Sequence, residues 1–198
     1  MSEWIQKRTA APTILPVSIE EVYAHAKIAD RSLETLTLVD RLIRLATETA
    51  EAITRRALLT QTWTLKGRDF PADDFILLPR PPLQSVTSIT YVDPHGATQT
   101  LSSSDYTADT THDPGRVVLN YGESWPSVRG HHNDVTITYV AGWTAAASVP
   151  QTIRQAILML CNHWYDYPTE IITGTIVNRL PWAAEVLLLM ERCYGIGA

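Results

Sequence analysis

The sequence is poor in most of the residues that announce a chemical activity. It has two cysteines, Cys161 and Cys193, both inside helical patterns. Neither a disulfide framework nor a zinc spacing can be built from them, and two reduced core thiols are expected. The nine glycines are scattered, and none stands in the strand-to-helix setting of a phosphate-cradling loop, which argues against nucleotide-driven chemistry. No pair of histidines flanks a glutamate at metal-ligand spacing, and no calcium loop is present. Long apolar runs are missing too: the stretch Trp182 to Met190 is interrupted by Glu185 and is too short to span a bilayer. Residues 1–12 lack a run of secretory length, so a cytoplasmic start is expected.

Positive charge is also in short supply. Sixteen Lys and Arg stand against 21 Asp and Glu, a net charge of −5, the wrong sign for gripping phosphates over a broad surface. The excess is uneven: residues 1–70 carry ten basic and nine acidic groups, residues 71–198 six and twelve. What remains is an ordinary globular composition, 198 residues with 45% apolar and 19% charged, enough for one domain with a subdomain.

Periodicity divides the chain into an N-terminal arm over 1–17, N-terminal helices over 18–60, a β insertion over 61–147, and C-terminal helices with a tail over 148–198. The arm contains Pro12 and Pro16 and has no consistent period. Ser18 and Glu21 form a capping box for a short helix bearing Ile19, Val22, Tyr23 and Ala26 on one face. Val39, Leu42, Ile43, Ala46, Ala50, Ile53 and Ala57 predict a second helix from about Thr37 to Leu58. From Gln61 the period changes to two, predicting strands at Thr62–Lys66, Phe75–Leu78, Val86–Val92, Thr98–Leu101, Arg116–Asn120 and Val135–Ala141. Asp93, Pro94, His95 and Gly96 read as a hairpin turn. A second capping box, Ser148 with Gln151, opens a helix whose apolar residues from Ile153 to Trp164 cover most of its circumference. Pro168 and Gly174 bracket a link, Pro181 opens a last helix through Cys193, and Gly195 closes it. The expected fold class is α+β, a helical core of two N-terminal and two C-terminal helices interrupted by an antiparallel β insertion.

Candidates for chemistry are few. His131, His132 and Asp134 offer nitrogen and oxygen ligands, but adjacent residues entering a strand point to opposite sides. A polar loop is the expectation there, and His112 with Asp113 is weaker still. Cys161 and His163 are two apart on a helix and face about 200° apart, which excludes a thiolate–imidazole pair. Ser102, Ser103 and Ser104 lack a strained glycine elbow and suit a turn. No catalytic, cofactor-binding or metal residue is therefore assigned, and no cofactor is expected. The aromatic set is skewed, with six Trp and eight Tyr against two Phe, and aromatics with polar tips suit surfaces that become half-buried on assembly.

Several stretches together resemble the head-to-tail connector, or adaptor, family of long-tailed bacteriophages and phage-derived gene transfer agents, described as DNA packaging proteins. They are Arg80, Pro81, Pro82, Leu83, Gln84, Ser85 and Val86 leading to Ile89, Tyr91 and Val92; Tyr121, Gly122, Glu123, Ser124, Trp125 and Pro126; and Tyr139 to Gly142. Val149, Pro150, Ile153, Arg154, Ala156 and Ile157 follow, then His163, Trp164 and Tyr165. Their order and spacing over residues 16–193 carry the resemblance. It implies a helical core with a β insertion, assembled as a ring of about twelve copies beneath the portal. Such a ring extends the DNA channel, without sequence-specific binding, and joins the capsid to the stopper and tail.

The partners implied are the portal protein, the neck or stopper protein and other copies of the chain, with no membrane. The location implied is the head-to-tail interface of a virion or gene transfer agent particle made in the bacterial cytoplasm. Portal docking is expected from Trp182, Val186, Leu187, Met190 and Tyr194, and lateral ring contacts from Trp4 and Trp125. The alternatives are another neck or tail ring, a stopper or tail terminator; a small metal-dependent hydrolase using His131, His132 and Asp134; and a glycan-binding module suggested by the Trp and Tyr content.

Overall fold

The computed structural model describes residues 4–167 and 181–194, and they fold as α+β. The strands are β1 (Ile5–Ala10), β2 (Gln61–Gly67), β3 (Phe75–Leu77), β4 (Leu83–Val92), β5 (Thr98–Thr100), β6 (Tyr106–Asp109), β7 (Arg116–Leu119) and β8 (Val135–Ala141). The helices are α1 (Ile19–Ala26), α2 (Leu33–Thr54), α3 (Gln151–Asp166) and α4 (Trp182–Met190). They form two compact units: a helical one containing 13–59 and the described part of 144–192, and a β unit containing 4–12, 60–143 and 193–194.

In the helical unit α3 packs against α1, α2 and α4. Ile153, Ala156, Ile157, Leu160 and Cys161 are all fully buried, as expected of a helix apolar around most of its circumference. They meet Val22 and Tyr23 of α1, the stripe Val39, Ile43, Ala46 and Ala50 of α2, and Ala184 and Leu188 of α4 in one core. Each large side chain buried there contributes about 1.5–3 kcal/mol. The Ser18–Glu21 capping box forms as the sequence predicts. Glu21 also pairs with Arg154 of α3, whose Nε donates to the Pro16 carbonyl, so one arginine ties the start of α1 to α3. The Ser18 N–H bond, with Arg154 beside it, lowers the Glu21 pKa.

Several boundaries differ from expectation. Helix α2 begins at Leu33, not Thr37, because Ser32 caps the Thr35 N–H and its own N–H is held by Asp30. Leu33 and Leu36 lie off the buried stripe, so periodicity passes over this first turn. The helix ends at Thr54, where Arg55 turns left-handed, and the Glu51 carboxylate accepts the Leu58 N–H. Ser148 makes no capping box: it ends a 3₁₀ turn, Ala146–Ser148, and α3 starts after Pro150 with no side-chain cap. Helix α4 stops at Met190, leaving Cys193 and Tyr194 beyond it. Pro168, Gly174 and Gly195 lie outside the described residues.

The β unit holds two antiparallel sheets, in orders β1-β2-β8-β4-β5 and β3-β7-β6. The register of the larger sheet sorts its side chains cleanly. Trp63 faces Tyr139, and Leu65 faces Ile137, which in turn faces Ile89, giving a buried side. Thr62, Thr64, Thr136, Thr138, Ser88 and Thr90 alternate with them and make the other side hydroxyl-rich. The Tyr139 hydroxyl donates to the Pro79 carbonyl at 2.8 Å, and burial raises its pKa. At the predicted hairpin Gly96 takes φ +88°, and the Asp93 carboxylate accepts the His95 and Ala97 N–H groups. Strand β6 was not predicted, and residues 5–10 of the arm form β1, an edge strand on β2. No helix among the described residues is long and apolar enough to cross a membrane.

Candidate docking surfaces

The polar residues singled out for chemistry serve the fold. Asp134 is buried and accepts from the Arg129 guanidinium at 2.7 Å and from the His131 N–H at 2.6 Å. The Arg129 hydrogen bond leads in lowering its pKa. His131 and His132 are exposed. Ser102, Ser104 and Asp105 hydrogen-bond one another in a turn. Burial pushes the Cys161 thiol up to about 12, far from a thiolate. Among the described residues no group of three or more His, Cys, Asp and Glu side chains gathers closely enough to hold a metal ion.

The features left unexplained by folding are apolar side chains in solvent. On α4, Ala184 and Leu188 face the core, whereas Trp182 is 78% exposed, Met190 is exposed and Val186 between them is half-buried. Trp182, Val186 and Met190 are four apart and share one side, so the helix is apolar on two faces, of which the described residues of its unit bury the one bearing Ala184 and Leu188. Leu187 is half-buried and Tyr194, past the helix end, is exposed.

On α2 a second such face carries Leu33, 79% exposed, with Leu36 and Leu45. Leu33, Glu34, Thr37, Leu38 and Arg41 share one open side of this helix. The charges on this helix are unequally engaged: Arg44 is paired with Asp40 at 2.8 Å, but Glu34 and Arg41 have no ion-pair partner among the described residues.

The two tryptophans expected to make lateral contacts are occupied within their own chain. The half-buried Trp4 ring lies on Gly67 of the neighbouring strand, where an added Cβ would fall 2.7 Å from ring carbons. Trp125 is half-buried, stacks on Phe70 at 4.8 Å with the rings 4° from parallel, and donates from Nε1 to the Asp73 carbonyl. The aromatic left free in that loop is Tyr121, which is fully exposed.

Around Tyr121 the chain is held by backbone hydrogen bonds to acidic residues. The Leu119 N–H donates to the Asp74 carbonyl, that of Asn120 to the Asp105 carbonyl, and that of Glu123 to the Asn120 carbonyl. The backbone of Asp74, Asp105 and Glu123 thus meets the exit of β7, and none of the three has an ion-pair partner among the described residues. Sequence periodicity had no means of choosing Tyr121 over Trp125. Gly122 takes φ +87° just after the tyrosine.

No protein-family model matches the chain, and no curated protein matches it. Solved structures do. A chain in the virion of a native gene transfer agent particle is similar over 97% of both chains, with TM-score 0.77 and 19% identity. A chain in the neck of an empty gene transfer agent particle, computed with C6 symmetry, matches over the same shares with TM-score 0.74 and 18% identity. A chain in the neck of a native particle, computed with C12 symmetry, gives TM-score 0.69 and 19% identity. At such identities what is shared is the fold, along its whole length.

Proposed function

We propose that this chain is a passive structural subunit of the neck of a phage-like or gene-transfer-agent particle. Copies form a ring, of twelve by this reading, beneath the portal, extend the DNA channel, and hand the capsid on to the stopper and tail. The observation that carries the proposal is the end-to-end fold similarity to chains of gene transfer agent virions and necks. The apolar faces left open on α2 and α4 suit a subunit completed by its neighbours. A net charge of −5 suits a conduit, since each phosphate neutralised by the wall would hold the DNA back.

The outward stripe Trp182, Val186 and Met190, with Leu187 on the same helix, is the face proposed to seat on the portal, and Tyr194 after the helix end is proposed to contribute to that contact. Deleting 181–198 is a poor test, because it strips Ala184 and Leu188 from the core. The double variant Trp182→Asp, Met190→Asp leaves that core intact. The expected outcome is a folded protein and DNA-filled heads without tails, seen by electron microscopy. Normal joining by this variant rejects α4 as the portal contact. Localising the chain at the stopper or tail terminator in intact particles rejects the adaptor assignment itself.

A further inference from the structure

The hydroxyl side of the larger sheet differs in charge from the rest of this acidic chain. Directly opposed residues share a side, so the register lays out rows across the strands. One row is Lys7, Thr64, Thr138 and Ser88, on β1, β2, β8 and β4. The next is Lys66, Thr136, Thr90 and Thr100, on β2, β8, β4 and β5. Neither row holds a carboxylate, although the chain has 21 acidic residues. The chain has only three lysines, Lys7, Lys27 and Lys66, and two of them lie on this side. Lys66 stands opposite Ile5, so Lys7 is its diagonal neighbour on β1.

We propose that duplex DNA runs along this surface, with Lys7 and Lys66 meeting phosphate oxygens and the hydroxyl rows donating to the same backbone. The inference rests on the neck reading above and names the surface of the chain that the DNA touches. Charge complementarity carries it. Arg31, Arg44, Arg116, Arg129 and Arg154 are each held by a carboxylate of their own chain. Lys7 and Lys66 are exposed, with no ion-pair partner among the described residues, and two like charges within reach of each other are relieved by an anion. Protection of a sheet edge accounts for a lysine on β1 but not for Lys66, whose strand is paired on both sides.

The chemistry of the rows fits a backbone and not a base. Lysine, serine and threonine side chains contact phosphate and sugar without carrying sequence information. The rows contain no Arg, Asn or Gln to read base edges. Two cations per copy displace few counterions, so the hold is weak and the duplex remains free to slide. A protein partner is a poorer occupant, because protein interfaces centre on aromatic or arginine anchors and these rows offer neither.

The test is photo-cross-linking in assembled, DNA-filled particles. Thr100→Cys places an exposed thiol in the second row, and Thr37→Cys places one on the open side of α2 for comparison; Cys161 and Cys193 are buried. After labelling with a short neutral aryl azide, confirmed by mass, and irradiation, Thr100→Cys should give a slow band on a denaturing gel that nuclease collapses. Thr37→Cys should give little of it. No DNA adduct at Thr100→Cys, an adduct with a protein instead, or equal yields at the two positions overturns the DNA surface while leaving the neck reading standing.

Adding Lys7→Gln and Lys66→Gln to the Thr100→Cys chain should cut the DNA adduct about threefold or more through lost phosphate contacts, with the thermal midpoint and the copies per particle unchanged. An undiminished yield overturns the role given to the lysines. Absence of the unaltered chain from finished particles removes the neck reading first.

Discussion

The helical and β units solve the same problem of apolar excess in opposite ways. In the helical unit a short core is shared by four helices, and the surplus is carried outward: Leu33, Leu36, Leu45, Trp182 and Met190 stand in solvent. In the β unit the large aromatics turn inward or onto one another, as with Trp63 opposite Tyr139 and Trp125 on Phe70. The open face of its larger sheet is left to hydroxyls. The helical unit thus leaves whole helix faces in solvent, while the β unit exposes Ile5, Phe75, Tyr121 and Tyr194 at separate places in its sequence. Exposed helix faces of this kind are what the proposed role as a ring subunit would use for assembly.

The largest test of that contrast sits on the helices themselves. Ile157→Ala, in the fully buried stretch of α3, should destabilise the chain by about 3 kcal/mol, through lost burial plus the cavity left behind. Trp182→Ala should change stability by about 0.5 kcal/mol or less, despite removing the larger side chain. Denaturant unfolding of the two variants reads this difference directly. Similar losses in both would mean that Trp182 belongs to the core and that the outward stripe is not spare surface.

The next effect is one of pH and belongs to the β unit. Asp134 is held as a carboxylate by Arg129 and the His131 N–H, so its pKa is lower in the folded than in the unfolded chain. Its contribution is fully present above the unfolded carboxylate pKa, near about 3.9. It is lost as pH falls from there through the folded value. Stability measured between about pH 5 and 3 should fall less steeply for Asp134→Asn than for the unaltered protein. Equal slopes would show that Asp134 does not carry the acid sensitivity. Smaller again is Tyr139→Phe, which orphans the Pro79 carbonyl and should cost about 1.5 kcal/mol with no change in the sheet's far-ultraviolet signature.

How much of this was legible in the sequence depends on which physical signal each residue carries. Buried stripes speak through periodicity: the core face of α2 and the all-round burial of α3 were both readable, as were the Ser18–Glu21 box and the Asp93–Gly96 turn. The first turn of α2 was not, because Leu33 and Leu36 fall off the stripe that defines the period. Ser148 misled because a capping motif also fits a 3₁₀ turn, and the fold used Pro150 to begin α3 instead. The exposed apolar surfaces were only half readable. The α4 stripe could be found by spacing, but spacing cannot tell which of two apolar faces the core will take. Trp125 was expected at a lateral contact, and only Phe70, far away in sequence, shows that its ring is stacked within the chain.

The N-terminal arm gives the smallest expected effect and the sharpest test of where the β unit ends. Residues 1–17 read as an extended arm free to reach a neighbour, yet residues 5–10 pair with β2 from Ile5 opposite Lys66 to Ala10 opposite Thr62. An edge strand of this length is held weakly by its ladder alone. What keys it is the Trp4 ring lying on Gly67, a contact that only a residue without a side chain permits. Gly67→Ala places a methyl group 2.7 Å from ring carbons and must move the ring, at a cost of about 1 kcal/mol. That is too little to unfold the sheet but enough to loosen its edge. Limited proteolysis should then cut the arm sooner at Lys7 and Arg8, while the rest of the chain resists as before. Unchanged cleavage would mean that the β1 ladder alone holds the arm, and that Trp4 is free to be displaced onto a neighbouring copy without loosening the edge of the β unit.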